Sequence, residues 1–476
     1  MKKFYITTTL PYVNSDPHVG HALEFVQADV IARYLRLNGF DVFFNTGTDE
    51  HGLNIYTTAK EKGKDTKAYA DEKSARFRDL LKLLNVENDN FIRTTDPQHI
   101  SAAQEFWKKC AEKGDIYKKN YKTKYCVGCE LEKTDSELVN DRCPIHPNKE
   151  IEIIEEENYF FKFSNYQNKL LELYEQNPNF VIPESRMNEI RKFVERGLED
   201  FSISRLKRKM PWGIEVPGDS EHVIYVWFDA LVNYVSAIGW PGDMEKFNAW
   251  WPVVQLAGKD NLRQQSAIWQ AMLMSAELPP SKQIIIHGFL TNKGQKMSKT
   301  VGNVVDPYVV VEHYGADVVR YYLTRQVTPF EDSDFSEEHI KITYNANLAN
   351  GLGNLVSRVL KMSSEYFGDE PVNYSEGEWK CWEEYREYIE TFQFEKAMNV
   401  IWSVITDLDA HVQNEQPFRV AKEDMEKAKK IVRHLVEGLN QVALMLRPFM
   451  PETAEKILEH VRANKMPEHP LFLRKD

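Results

Sequence analysis

Two short stretches bring together side chains that can handle phosphate. Pro17-His18-Val19-Gly20-His21 sets two imidazoles three positions apart. On a helix that spacing puts both rings on one face of the first turn, and imidazoles donate hydrogen bonds to phosphate. Unpaired amides at a helix N-terminus favour anions in the same place. Gly20, without a side chain, lets a flat base approach the backbone. The second stretch, Lys296-Met297-Ser298-Lys299-Thr300, follows Asn292-Lys293-Gly294-Gln295. Two lysines flank a small hydroxyl on a Gly-bearing loop, and lysine is a movable point charge suited to a leaving pyrophosphate. Taken singly, the first is as readily a pair of surface histidines and the second a solvated basic loop.

A third constellation pairs Cys126-Val127-Gly128-Cys129 with Cys143-Pro144-Ile145-His146. Cys126, Cys129, Cys143 and His146 supply four ligands in two pairs, each pair with two residues between. That is the tetrahedral pattern of a structural zinc knuckle, with no position left for catalysis. Five cysteines in all, three of them clustered, suit a reducing cytosol better than a disulfide framework. Cys110 and Cys381 have no partners nearby and are expected to be structural.

The elements that must position these groups can be read around them. Phe4 to Thr9 is aromatic and β-branched and predicts a strand; residues 11–17 form a loop. His18 to Leu37 carries apolar residues at helical spacing and closes at Asn38-Gly39. Val42-Phe43-Phe44 predicts a second strand. Strand, helix, strand make a βαβ unit with a parallel sheet, whose ligands sit at the carboxyl ends of the strands. From residue 116 the text changes to cysteines, short strand-like runs and an acidic stretch. Buried-strand patterns return with Val223-Ile224-Tyr225-Val226-Trp227, Val253-Val254-Gln255-Leu256 and Ile284-Ile285-Ile286-His287. From about 341 the text is helical.

The expected fold is therefore α/β: a split Rossmann-like parallel sheet with a zinc-binding insertion and a C-terminal α-helical bundle. The expected segments are 1–115 and 223–340 for the two catalytic halves, 116–222 for the insertion and 341–476 for the helices. At 476 residues the chain exceeds one ordinary domain, with 42% hydrophobic and 28% charged residues, as in soluble globular proteins. A net charge of −12 argues against a general nucleic-acid binder but allows a local basic patch. No signal peptide or membrane-length apolar run is read.

An H-x-G-H stretch after the first strand and a K-M-S-K-T stretch after a late strand resemble the HIGH and KMSKS signatures of class I aminoacyl-tRNA synthetases. The resemblance narrows with Thr9-Leu10-Pro11-Tyr12, Gly47-Thr48-Asp49-Glu50-His51-Gly52 and Asp200-Phe201-Ser202-Ile203-Ser204-Arg205. Tyr225-Val226-Trp227-Phe228-Asp229-Ala230, Gly258-Lys259-Asp260 and His287-Gly288-Phe289 add to it. All look like the methionyl-tRNA synthetase family, from residue 4 to about 360 and more weakly beyond. The resemblance implies that Asp49 holds the methionine amino group. Leu10, Tyr12, Trp227, Ala230, Tyr234 and His287 would line the side-chain pocket; aromatic walls suit a polarizable thioether. His18, Gly20, His21, Glu24, Arg205, Lys296 and Lys299 would handle ATP, with His18, His21, Lys296 and Lys299 as the catalytic set and Mg²⁺ accompanying ATP.

In the helical segment, Asn354 and Arg358 stand one turn apart, and Phe418 follows Pro417. In the family an Asn and an Arg at this spacing, with a Trp after Pro, read the anticodon; Phe418 keeps the stacking face and lacks the indole donor. Residues 341–476 hold 18 Lys and Arg against 22 Asp and Glu, so charge adds nothing to that reading. The neighbourhood of Gly258-Lys259-Asp260 departs from the family, which usually has histidine and aliphatic residues where this chain has Gln255, Ala257, Asn261, Gln264 and Gln265. Leu231 is a further departure. The implied partners are tRNA(Met), ATP and L-methionine. The chain ends soon after the bundle, short of a dimerising C-terminal domain, so a cytoplasmic monomer is expected. Among other class I synthetases, the enzymes for leucine, isoleucine and valine would need a larger editing insertion; a small-molecule nucleotidyltransferase would not explain the knuckle and helical tail, and an idle RNA-binding paralogue would not keep both signatures.

Overall fold

The structure, a computed structural model, describes residues 2–128, 131–133, 135–292, 294–297, 303–368, 370–375 and 377–475. It divides into two compact units. The first comprises residues 1–17, 39–81 and 87–287; the second comprises 18–38, 82–86 and 288–476.

The first unit is built on a six-stranded sheet. Its strands are β1 (Lys3–Thr7), β2 (Asp41–Thr48), β3 (Asn90–Arg93), β4 (Val181–Ile182), β5 (Val254–Gly258) and β6 (Gln283–His287). They lie in the order β3-β2-β1-β5-β6-β4, every pair parallel. The apolar runs of β5 and β6 are buried along almost their whole length, as parallel strands covered on both faces require. The order reverses between β1 and β5. That makes a switch point, where the loops leaving the carboxyl ends of neighbouring strands part and a crevice opens.

Around this sheet lies an aromatic core. Phe228 packs against Phe106 and Trp107, with ring centroids 5.9 and 5.4 Å apart, and Phe106 stacks on Trp269 at 5.5 Å. Burying each such ring contributes about 2–3 kcal/mol. A separate four-stranded sheet holds two long antiparallel strands, Ile116–Cys126 and Ile151–Phe161, paired along their full length. The loop at the far end of that ribbon carries the cysteines.

Two findings differ from the sequence reading. Val223-Ile224 ends a strand, Asp219–Ile224, in a small antiparallel sheet, and Val226–Leu231 is a helix. A short apolar run satisfies a buried strand or a buried helix equally, and here it is divided between the two. The sixth strand of the main sheet, β4, comes from within residues 116–222.

The second unit opens with helix α1 (Val19–Leu37), buried on most sides and carrying the completely buried Asp29. The Asp29 carboxylate takes Arg33 Nε and Arg320 Nη2, both at 2.7 Å. Arg320, also wholly buried, further donates to the carbonyls of Phe449 and Pro448 at 2.8 Å and of Leu84 at 3.2 Å. A buried charge survives only when paired and hydrogen-bonded in this way. A three-stranded sheet of Leu290–Asn292, Gln295–Lys296 and Ser333–Asp334 precedes the helical region. The principal helices there are α2 (Asn354–Phe367), α3 (Phe394–Glu415), α4 (Pro417–Val420), α5 (Met425–Leu446) and α6 (Pro451–Ala463). Among the described residues no helix is long and apolar enough to cross a membrane.

Candidate active site

At the carboxyl edge of the first unit's sheet, several expected residues emerge side by side. Leu10 and Tyr12 follow β1, Asp49 follows β2, and His287 ends β6. Tyr12 and Asp49 form a parallel bridge, with the Asp49 amide donating to Pro11 O at 3.0 Å and the Val13 amide to Asp49 O at 3.1 Å. Asp49 is thereby fixed by backbone on both sides, with its side chain 3% exposed. Trp227 and Ala230 lie one turn apart on the half-exposed face of helix Val226–Leu231, while Phe228 and Asp229 face inward. Trp227 Nε1 is buried and has no hydrogen-bond partner among the described residues. A donor left in that state suits a ligand. Tyr234, on the next short helix, is 1% exposed and its hydroxyl accepts from Gln265 Nε2 at 2.8 Å.

The scaffold behind these residues uses groups the sequence reading did not single out. Asp229 is wholly buried and receives His51 Nδ1 on one oxygen and His99 Nε2 on the other, each at 2.7 Å. Burial by itself would raise its carboxyl. Attraction to His51 and the hydrogen bonds from His51 and His99 outweigh that and hold it below the usual aspartate range. Glu50, also wholly buried, takes Arg93 through both oxygens at 2.6 and 2.7 Å and Thr48 and Thr95 hydroxyls at 2.7 and 2.5 Å. Glu50 and His51 therefore clamp the segment that carries Asp49. Arg93, Thr95 and Asp229 lie tens to hundreds of positions from Glu50 and His51, so only the presence of His51, Glu50 and Asp229 inside the quoted motifs hinted at these contacts.

The first histidine stretch lies in the second unit. His18 is the N-cap of α1: its Nδ1 accepts from Gly20 N–H at 3.0 Å, and His21 Nδ1 accepts from His18 N–H at 3.1 Å. The two rings stack, centroids 3.9 Å apart. Because each Nδ1 accepts, the proton of each neutral ring sits on Nε2, so both rings present a donor. The amides of the first turn are already engaged, Val19 with Val305 O, Gly20 with the His18 ring and His21 and Ala22 with His18 O. This corrects the expectation of unpaired amides at this terminus. The space over Gly20 is likewise taken by the His18 ring, since a Cβ there would stand 2.8 Å from His18 Cε1. Glu24 is buried one turn further along.

The backbone of Lys296 pairs with Thr291 in the strand pair leading into the lysine loop. Lys299 lies outside the described residues. Arg205, in the first unit, is 5% exposed; its Nη1 donates to Ser202 Oγ and Ser204 O, and its guanidinium lies over the Tyr225 ring at 4.3 Å.

At the tip of the long ribbon, the ligand atoms of Cys126, Cys143 and His146 all lie within 4.8 Å of one another. Cys126 Sγ is 3.9 Å from His146 Nδ1, and a Cβ on Gly128 would stand 2.5 Å from His146 Cγ, so only glycine lets the ring pack there. Cys129 lies outside the described residues. Cys110 is buried and free, its thiol pushed up to about 12 by burial, which suits packing rather than chemistry. In the helical region Asn354 is exposed, Arg358 pairs with Asp409 at 2.7 Å, and Phe418 on α4 is 47% exposed. An aromatic ring left outside the core is what base stacking requires.

A family model described as tRNA synthetases class I (M) matches residues 4–150 and 128–360, and one described as anticodon-binding domain of tRNA ligase matches 380–474. The methionine–tRNA ligase of Thermotoga maritima is 43% identical over 98% of this chain and 76% of its own length. That of Brucella suis is 41% identical over 96% and 91%. A methionyl-tRNA synthetase from Mycobacterium tuberculosis, solved in complex with methionyl-adenylate, superposes with a TM-score of 0.93 at 37% identity over the whole of both chains. With likeness of this extent in sequence and in fold, the chain belongs to the class I methionyl-tRNA synthetase family.

Proposed function

We propose that this protein is a methionine–tRNA ligase that works in two steps. The methionine carboxylate attacks the α-phosphate of ATP and pyrophosphate leaves. The terminal ribose hydroxyl of tRNA(Met) then attacks the methionyl-adenylate. No side chain forms a covalent bond; the protein positions the reactants and stabilises phosphate charge. The observation that supports this reading is the 2.7 Å bond from His51, two residues beyond the backbone-fixed Asp49, to Asp229 on the helix that bears Trp227 and its buried Nε1, which has no partner among the described residues.

In this reading Asp49 takes the ammonium group, and Leu10, Tyr12, Trp227, Ala230, Tyr234 and His287 enclose the thioether. His18 and His21 donate through Nε2–H to phosphate oxygens, beside Gly20 and Glu24, and Lys296 and Lys299 stabilise the departing pyrophosphate. Mg²⁺ bound with ATP supplies further neutralisation of phosphate charge. Cys126, Cys129, Cys143 and His146 would hold a structural zinc ion, whose contribution is to fold the tip of the ribbon. Three of these donors already converge, and thiolate and imidazole are the donor types zinc prefers. We assign residues 116–222 to the inserted zinc-bearing domain, flanked by catalytic segments 1–115 and 223–340. Residues 341–476 form the anticodon-binding part, with Asn354, Arg358 and Phe418 contacting the anticodon. The working form is a cytoplasmic monomer.

Amino-acid-dependent ATP–pyrophosphate exchange across all twenty amino acids, followed by charging of tRNA, tests the reading. Exchange with methionine alone and charging of tRNA(Met) is the expected result. Exchange with another amino acid points to a different class I synthetase, and exchange without charging points to a small-molecule nucleotidyltransferase; either overturns it.

A further inference from the structure

Beyond Asp49, residues 50–52 have left β2 and not yet entered the helix Leu53–Glu61, so their backbone groups must find partners elsewhere. The Glu50 amide donates to Thr94 Oγ1 at 2.9 Å. The Glu50 carbonyl accepts from Trp212 Nε1, and the Gly52 amide donates to the Trp212 carbonyl at 3.2 Å. Trp212 thus grips the chain on both sides of His51, whose ring lies 5.7 Å from the indole. Gly52, at φ 121°, is where the chain turns from the sheet into the helix, and no side chain caps that helix start. The bond to Trp212 fixes the turn.

Both gripping residues are themselves held. Thr94 is wholly buried just beyond β3, with its amide on the Thr48 carbonyl at 3.2 Å. Trp212 is half-buried and lies between two anchored neighbours. On one side the Met210 amide donates to the Leu206 carbonyl at 3.0 Å, and on the other the Ile214 carbonyl accepts from the Ile224 amide at 2.7 Å. Met210 and Ile214 are both in the core. Trp212 stands 162 positions from Glu50, in the stretch 116–222 read as the insertion.

We infer that Trp212 and Thr94 are positioning residues for recognition of the substrate's amino group. They hold the two peptide groups of Glu50 and so set where the neighbouring Asp49 carboxylate meets the ammonium. Through Trp212 the inserted stretch contributes to choosing the amino acid. The inference rests on the reading that Asp49 takes the ammonium group. That contact depends on close placement and is made equally before and in the transition state, so the effect falls on KM for methionine and leaves kcat unchanged.

The test is equilibrium dialysis of the full chain with methionine and with its des-amino analogue, in which a hydrogen replaces the ammonium group. The parent should hold methionine about tenfold or more tighter, as for a hydrogen bond between charged groups. Trp212→Phe keeps an aromatic ring and the backbone carbonyl and loses the Nε1 donor. Its methionine affinity should fall about fivefold, as for one hydrogen bond, and that for the analogue by less than about twofold. Thr94→Val, of like shape, should weaken methionine and spare the analogue in the same way. In pyrophosphate exchange the loss should appear in KM for methionine, with kcat and the KM for ATP kept. Thermal melting screens both variants. If Trp212→Phe does not fold, Thr94→Val decides; if neither folds, the two residues are structural and the inference fails. An equal fall for both ligands, unchanged methionine affinity in the folded variants, or a loss confined to kcat would overturn it. A parent that holds the analogue as tightly as methionine overturns the reading of Asp49 itself, a result visible before any variant is made.

Discussion

Asp229→Asn probes how the site is held. The carboxylate is wholly buried, bridging His51 Nδ1 and His99 Nε2 at 2.7 Å each, while His99 Nδ1 faces Ser236 Oγ at 3.0 Å. Asparagine keeps the shape but offers one oxygen and one amino group, so one of the two rings meets a donor where it had an acceptor. A hydrogen bond to a charged group contributes about 1.5–3 kcal/mol. Losing one and weakening the other from charged to neutral sets the cost at roughly 2–4 kcal/mol, or about 5–10 °C in Tm. The same change loosens His51, two residues beyond Asp49, and the helix of Trp227 and Ala230, so methionine affinity should fall by about tenfold. The sign with pH follows from the lowered carboxyl. A group whose folded pKa is depressed contributes its stability above its unfolded value and loses it as pH falls through the folded one. The difference between parent and variant should therefore be full above about pH 4 and shrink below it. Thermal melts between about pH 3 and 8 and equilibrium dialysis with methionine measure both effects. A variant that melts with the parent at neutral pH, or a gap that stays constant into acid, would refute the reasoning.

Three further outcomes are expected. Lys299→Ala should slow adenylate formation in pyrophosphate exchange while methionine binding by dialysis is kept, because its charge matters most as pyrophosphate departs; an equal loss of binding makes it a structural lysine. Cys143→Ser should release zinc and loosen the ribbon tip, read by elemental analysis and proteolysis near residues 120–150; metal-free parent protein purified under reducing, chelator-free conditions contradicts the zinc assignment. Phe418→Ala should reduce tRNA charging by about tenfold with exchange unchanged, since stacking one base contributes roughly 1–3 kcal/mol; normal charging of tRNA carrying CAU and of an altered anticodon means the anticodon is read elsewhere.

The central strands were legible because fully buried parallel strands must be runs of apolar and β-branched residues, as β1 and Ile284-Ile285-Ile286 are. Helix α1 declared itself through its period and its Asn38-Gly39 close. Legibility failed where a residue's meaning depends on a remote partner. His51 and Asp229 are 178 positions apart and meet at 2.7 Å, and no local pattern encodes that. It failed also at Tyr225-Val226-Trp227, where an aperiodic apolar run leaves strand and helix equally good. At the start of α1 the spacing announced two histidines on one turn, yet the engagement of the first amide, that of Val19, depends on Val305, far along the chain. The glutamines near Gly258 read as departures from a family pattern; in the fold Gln255 and Gln265 bond to each other at 2.8 Å, and Ser281 and Gln270 bond to them from remote positions.

Arg320 has a consequence for where this chain can be divided. Its guanidinium joins Asp29 on α1 to the carbonyls of Pro448 and Phe449, just beyond the end of α5. A fragment ending at residue 340 would keep the arginine and the aspartate but remove two of the carbonyls that receive the guanidinium, leaving its N–H groups in an apolar setting. The helix that bears His18 and His21 is thus not an independent cartridge. Recombination of parts between relatives should succeed only when residues 18–38, 320 and 448–449 travel together.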